Sequence, residues 1–148
     1  MWASEPQPFD PMEQALHQAY AQTAAPDERP DYHMVHEYPL DGRPPMMTHV
    51  FADASGHRIV ACKGAAEGIV ERCHLPATAQ AAVLEVLTQM AATGLRVLGV
   101  AHCPAPPPTF PDDQEDFNWE FVGLVAFPTR PSPPAPLCSG SFTRPACK

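Results

Sequence analysis

The sequence predicts an α+β domain in which a twisted antiparallel sheet of about six strands is flanked by helices. A candidate hairpin over residues 47–62 joins two apolar runs through a short polar turn. Candidate helices over 11–22, 65–73 and 79–92 have helical propensity or apolar residues at helical spacing. Because hairpins dominate and few connections pass through helices, neighbouring strands should run antiparallel.

Composition narrows the classes of function. The chain has 148 residues, enough for one domain, and its 9 Lys+Arg against 17 Asp+Glu give a formal charge of −8. An acidic chain is poorly suited to binding DNA or RNA. No apolar run approaches the roughly 18 residues needed to span a bilayer, and the first residues do not resemble a signal peptide. We therefore expect a cytoplasmic protein that neither binds nucleic acid nor inserts into a membrane.

Five cysteines are widely spaced and form no C-x-x-C pair, which favours reduced thiols over disulfides or a zinc site. His33 and His36 could suggest a metal site, but residues three apart on a strand face opposite sides. We expect no intrinsic metal; the open alternative is a chance transition-metal contact that also involves His49 and His57 in the hairpin.

The first helix has a clear start signal. Residues 1–9 are polar and contain proline, and are predicted to be disordered. Asp10 can then cap a helix that has proline at its first position, and Glu13 lies three residues after the cap, as in a capping box.

The central strands follow. Residues 31–40, 47–52 and 57–62 have strand propensity and are separated by turns at 41–45 and 53–56. The third strand is predicted to turn at Lys63 and Gly64 into the helix over 65–73. Most such turns have no ligand. Some, however, extend a lysine across a pocket mouth while glycine lets a ligand approach the backbone.

The second half of the chain is also predicted to contain a helix and strands in sequence. Thr78 is a candidate N-cap for the helix over 79–92, and Gly94 a candidate C-cap. Residues 94–101 form an apolar strand that carries Arg96, a proline-rich loop follows, and residues 118–127 form the last strand. A Pro-rich tail over 128–148 has no apolar period and should be disordered.

Four segments together resemble the nucleotide-binding (N) domain of P-type cation-transporting ATPases. The segment from Lys63 to Cys73, KGAAEGIVERC, is similar to that family's K-G-A-P-E…R-C motif, with Ala66 in place of proline. The other segments are DPMEQAL from Asp10, GLRVLGVA from Gly94 and FVGLVA from Phe121. The resemblance covers residues 10–127, which would form the nucleotide-binding domain.

The resemblance implies a nucleotide site. By it, Glu13 would accept a hydrogen bond from the adenine amino group, and Leu40 and Met47 would pack on the base. Lys63 would line the pocket above Gly64, and Arg96 would face the phosphates. A plainer interpretation of Arg96 is an exposed strand charge. Leu40 stands where the family has an aromatic residue, and Pro45 where it has a lysine, so we expect weak binding.

Motifs for phosphoryl transfer are absent from the sequence, which contains no D-K-T-G-T, T-G-D or G-D-G-x-N-D. We therefore expect an isolated domain that binds ATP or ADP without hydrolysing it, has no catalytic residues and is not an enzyme on its own. Its expected partners are the nucleotide and the phosphorylation domain or other parts of a P-type ATPase. The alternative is a remnant that binds no nucleotide and acts as an interaction or regulatory module.

Overall fold

The computed structural model describes residues 1–23 and 26–128. Three helices are present in that part of the chain: α1 (Pro11–Ala21), α2 (Ala66–Arg72) and α3 (Ala77–Ala92). The strands are β1 (Tyr32–Asp41), β2 (Met46–Asp53), β3 (Arg58–Ala65), β4 (Leu95–Cys103) and β5 (Glu120–Pro128). Short 3-10 helices lie at Arg29–Asp31 and Gln114–Asp116. In these described ranges no helix is long and apolar enough to cross a membrane.

The strands form one sheet in the order β1-β2-β3-β4-β5, with every neighbouring pair antiparallel. This confirms the predicted α+β class, with five strands instead of about six. The predicted hairpin is β2 and β3, which pair in continuous register from Met46 with Gly64 to Ala52 with Arg58. Sequential connections therefore build the sheet, and among the described residues only the β3–β4 connection passes through α-helices.

The start of α1 follows its sequence signal. The Asp10 carboxylate accepts hydrogen bonds from the backbone N–H groups of Met12 at 2.7 Å and Glu13 at 3.0 Å. Two N–H groups that a helix start leaves without partners are thereby satisfied. The cap also sets the direction in which Glu13 leaves the helix.

The predicted turn at Lys63 and Gly64 is wrong, because both residues lie inside β3. Lys63 pairs with Met47 on β2 and with Val100 on β4, so the strand is hydrogen-bonded on both sides at this point. The helix α2 begins at Ala66. Ladder bonds on both edges of β3 outweigh the local turn preference of a Lys-Gly pair.

The N-cap of α3 also differs from the predicted one. The helix begins at Ala77 with Pro76 as N-cap, so Thr78 lies inside the first turn instead of capping it. Proline before the first helical residue already presets an extended backbone there. At the other end Thr93 is the C-cap, and Gly94 follows with φ of +79°, a left-handed conformation that favours glycine.

One face of the sheet forms the hydrophobic core. Its central members are fully or almost fully buried: Met46, Val50, Val60, Cys62, Ile69, Ala101 and Trp119. The helix α2 packs against this face at Gly99, where an added Cβ would lie 2.8 Å from the Cβ of Ile69. Burial raises the pKa of the Cys73 thiol to about 11.

A buried amide attaches the loop after β4 to the edge of this core. Gln114 Nε2 donates to the carbonyl of Met46 at 3.1 Å, and Thr48 Oγ1 donates to Gln114 Oε1 at 2.9 Å. The Trp119 indole N–H donates to the carbonyl of Gln114 at 3.0 Å. These bonds hold the start of β2, and hence Met47, in a defined position.

The opposite face of the sheet is covered by α1 and the first residues of the chain. Ala3 and Ser4 are buried, and the ring of Trp2 lies edge-on to those of Tyr32 and Phe51. The sequence predicts disorder for residues 1–9. In the structure residues 1–5 are buried or partly buried, whereas Pro6, Gln7 and Phe9 are exposed. The predicted disordered tail lies outside the described residues, apart from Pro128 at the end of β5.

Replacing Gly99 by alanine should destabilise the fold by about 1–3 kcal/mol, because the new methyl group would be forced against Ile69 and the backbone of Ala66. Urea unfolding followed by far-ultraviolet circular dichroism measures this. Gly123→Ala is the matched control, since an added Cβ there has no atom within 4 Å. Equal stability of the two variants would contradict the packing of α2 on β4.

Candidate functional site

A single pocket contains all six residues singled out from the sequence. Glu13, Leu40, Met47, Lys63, Gly64 and Arg96 line a cavity of about 350 Å³ on the face of the sheet that carries α1. We call it the Lys63 pocket. Its volume lies at the lower end of the range of small-molecule sites.

The strand register explains why these residues meet. Met47 and Lys63 are directly opposed on β2 and β3, so their side chains leave the same face of the sheet. Arg96 is near the start of β4, which pairs with β3. Glu13 comes from α1, 50 residues away in sequence, and approaches from above. The site therefore depends on how α1 is docked on the sheet.

The structure gives Gly64 a packing role in addition to the one predicted for it. An added Cβ would lie 2.4 Å from the carbonyl oxygen of Pro45 and 2.7 Å from the Cα of Met46. The same Pro45 carbonyl accepts a hydrogen bond from the N–H of Ala65 at 3.0 Å. The missing side chain therefore makes room for the beginning of β2.

The centre of the Lys63 pocket is a buried ion pair. The Lys63 ammonium donates to Glu13 Oε1, with the two residues only 7% and 3% exposed. The second carboxylate oxygen, Glu13 Oε2, is buried and has no hydrogen-bond partner among the described residues. A buried acceptor without a partner is uncommon and costly, which makes it a candidate for a ligand contact.

Burial lowers the pKa of Lys63 from its ordinary value, since the charged ammonium loses hydration. The carboxylates of Glu5 and Asp10 act in the opposite direction and favour the charged form. Lys63 is therefore a desolvated cation surrounded by acids. Its charge is already engaged within the protein.

Arg96 and Leu40 lie at the rim of the pocket. Arg96 is exposed, and within residues 1–23 and 26–128 no ion pair involves it. The Leu40 residue is 65% exposed although it is large and apolar. Both side chains are thus available to a molecule that enters the pocket.

Three acids in the wall of the Lys63 pocket were not predicted as site residues: Glu5, Asp10 and Glu37. Asp10 was predicted only as the cap of α1. Together with Glu13 these three acids face only two cations, Lys63 and Arg96. Glu37 could have been found from the alternation along β1, whereas Glu5 lies in a segment with no periodic signal. The pocket is consequently acidic, like the whole chain.

A larger cavity of about 470 Å³ lies between the N-terminal residues and the start of β1. Its arginine, Arg29, is held by Asp27 in an ion pair of 2.7 Å and lies over the ring of Tyr20. None of the six predicted site residues lines it. The Lys63 pocket is the better candidate because it holds the unpartnered acceptor and an unengaged cation together.

Comparison with known protein families identifies the family of the chain. The family described as "P-type ATPase, cytoplasmic domain N" matches residues 9–133. The chain belongs to this family. The match confirms the predicted N-domain resemblance, and the family's description as a cytoplasmic domain confirms the predicted location.

The N domain also resembles a curated relative. It is 36% identical over 104 residues to the sodium/potassium exporting P-type ATPase cta3 of Schizosaccharomyces pombe. That alignment covers 62% of this chain and 10% of the relative. The chain thus spans about a tenth of the length of the relative it matches.

Removing one charge of the buried pair between Glu13 and Lys63 should destabilise the domain more than removing both charges. Glu13→Gln or Lys63→Met alone should destabilise the domain by about 3–5 kcal/mol, because each leaves a buried charge without its partner. The double variant should be more stable than either single variant. Urea unfolding of all four proteins gives the coupling free energy.

The exposed pair of Arg29 and Asp27 provides the control, since Asp27→Asn should leave stability nearly unchanged. Additive losses in the double variant would show that Glu13 and Lys63 do not interact in the folded protein.

Proposed function

We propose that the chain binds ATP or ADP weakly in the Lys63 pocket and does not hydrolyse it. Membership of the N-domain family supports a nucleotide as ligand, because this is the nucleotide-binding domain of P-type ATPases. The observation that carries the proposal is the unpartnered Glu13 Oε2, which is buried in the pocket wall. It offers an acceptor to the exocyclic amino group of adenine.

The apolar part of the pocket suits a purine. Met47 lies on the sheet beside Lys63, and Leu40 projects from the end of β1 with much of its surface exposed. These two side chains would contact the faces of the base. Since stacking on an aromatic ring is worth about 1–3 kcal/mol, a leucine at position 40 should give a looser complex.

The charges of the pocket also favour weak binding. Lys63 is already paired with Glu13, so its ammonium is not a free phosphate ligand. Arg96 is the cation best placed to meet the phosphates, while Glu5 and Glu37 add negative charge to the same wall. Repulsion between these carboxylates and a polyphosphate reduces affinity.

Hydrolysis would need groups that the sequence does not contain in recognisable form. Phosphoryl transfer by this family requires an acceptor aspartate and a magnesium site beside the γ-phosphate. The acids of the Lys63 pocket lie in the same wall as Glu13, which is the proposed partner of adenine. The sequence contains no D-K-T-G-T segment that would supply the acceptor aspartate. In this proposal the phosphorylation domain of a P-type ATPase is the partner that would use the bound nucleotide.

The alternative function is an interaction or regulatory module that has lost nucleotide binding. The acidic lining and the internal engagement of Lys63 favour it. The two proposals differ in whether ATP enters the Lys63 pocket at all.

Titration with ATP, followed by amide chemical shifts, separates them. We expect saturable binding near the millimolar range, with shifts at Met47 and Gly64. Arg96→Ala should weaken it about tenfold through loss of a phosphate contact, and Leu40→Phe should tighten it about fivefold or more through restored stacking.

Arg29→Ala is the matched control, because it removes an exposed cation from the larger cavity and should leave ATP affinity unchanged. If neither the native chain nor Leu40→Phe binds ATP at several millimolar, the module without nucleotide is the correct function. Phosphate release above background with Mg²⁺ would overturn the claim that the domain does not hydrolyse ATP.

A further inference from the structure

We propose that Glu5, Glu37 and His49 form a site for a first-row divalent transition-metal ion such as Zn²⁺. One ligand atom of each residue lies within 4.8 Å of the others. The three come from separate parts of the chain: the N-terminal segment, β1 and β2. We call them the His49 cluster.

His49 is the strongest evidence for the site. Its side chain is 0% exposed, yet neither ring nitrogen has a hydrogen-bond partner among the described residues. Burying an imidazole with both nitrogens unsatisfied is costly, and such groups call for an explanation in a folded protein. Its Nε2 atom lies 3.7 Å from Glu5 Oε1, which is too long for a hydrogen bond but is aimed into the cluster.

The fold holds the three ligands on one side of the sheet. Glu37 and His49 are directly opposed on β1 and β2, so their side chains leave the same face. Glu5 approaches from above, where the ring Nε2 of His17 on α1 lies 2.8 Å from its backbone carbonyl oxygen. Burial of Ser4 fixes the chain just before it.

The distances are close to those of a coordinated ion. Two ligands about 2.1 Å from a tetrahedral zinc lie about 3.4 Å apart. The contact between His49 and Glu5 is already near that separation. Glu37 is exposed, so a side-chain rotation can complete the set, and its exposure provides an entry path for the ion.

The donor set selects the class of metal. One imidazole nitrogen with two carboxylates suits Zn²⁺ and its neighbours, whereas Ca²⁺ and Mg²⁺ prefer oxygen ligands alone. Lys63 is close enough to Glu5 for their charges to interact, but its ammonium is neutralised by Glu13. The two carboxylates of the cluster are therefore left to balance a divalent ion.

This proposal departs from the sequence-based expectation of no intrinsic metal. That expectation rested on His33 and His36 facing opposite sides of a strand. In the structure a bulge in β1 puts both on one face, since they lie opposite Ala52 and Val50, two residues apart on β2. The His49 cluster has no sequence spacing to reveal it, since its members are 32 and 12 residues apart and meet only through the docked N-terminal segment.

The test is a Zn²⁺ titration of the full chain, without nucleotide, in a background where Cys138 and Cys147 are replaced by serine. Serine at these positions removes thiolates that lie outside the described residues. We expect one equivalent of Zn²⁺ to shift the ring resonances of His49, and Mg²⁺ at the same concentration to leave them unchanged. Glu37→Gln and Glu5→Gln should each lower Zn²⁺ affinity by at least about tenfold.

Glu120→Gln is the matched control, because Glu120 also lies 3.7 Å from a histidine, His102, but on the exposed surface. It should leave the affinity unchanged. Absence of binding, binding without a shift of His49, or affinity unaffected by Glu37→Gln would each overturn the site. Since no ATP is present, these outcomes are independent of the proposed nucleotide binding.

Discussion

The ion pair between Glu13 and Lys63 is the interaction on which the candidate site depends. It joins α1 to the centre of the sheet across 50 residues of sequence, and both side chains are buried. A lysine in the middle of a strand would otherwise be a desolvated charge, and a glutamate on the buried face of a helix would be another. Each residue is acceptable because the other is present, so the pair fixes both the docking of α1 and the shape of the pocket beneath it.

The two faces of the sheet carry different kinds of side chain. One face is packed with apolar side chains and covered by α2, which approaches so closely at Gly99 that an added Cβ would lie 2.8 Å from the Cβ of Ile69. The other face carries Met47, His49 and Lys63 under α1 and the N-terminal segment. Apolar burial on the first face stabilises the fold, whereas the second face holds polar and charged groups.

The Lys63 pocket of this N domain carries an excess of negative charge. Four carboxylates and two cations line the Lys63 pocket, and one cation is already engaged. A polyphosphate therefore meets a wall that is acidic apart from Arg96, whereas a divalent cation meets two carboxylates and an unsatisfied imidazole. The same excess of acid that weakens the proposed nucleotide binding favours the proposed metal site, and both follow from the position of the N-terminal segment over the sheet.

The sequence alone determined the fold class, the order of the elements and six of the residues that line the Lys63 pocket. The β2–β3 hairpin and the Asp10 cap are local, so short-range patterns were sufficient to predict them. Motif resemblance then placed Glu13, Leu40 and Arg96 beside Lys63. The turn predicted at Lys63 and Gly64 from local preference was wrong, because pairing with β2 and β4 extends β3 through both residues. Only the tertiary structure decided that Lys63 is paired with Glu13 and that Glu5 lies beside His49. These contacts join segments far apart in sequence, and a local sequence pattern does not indicate which distant residue will pair with a buried charge.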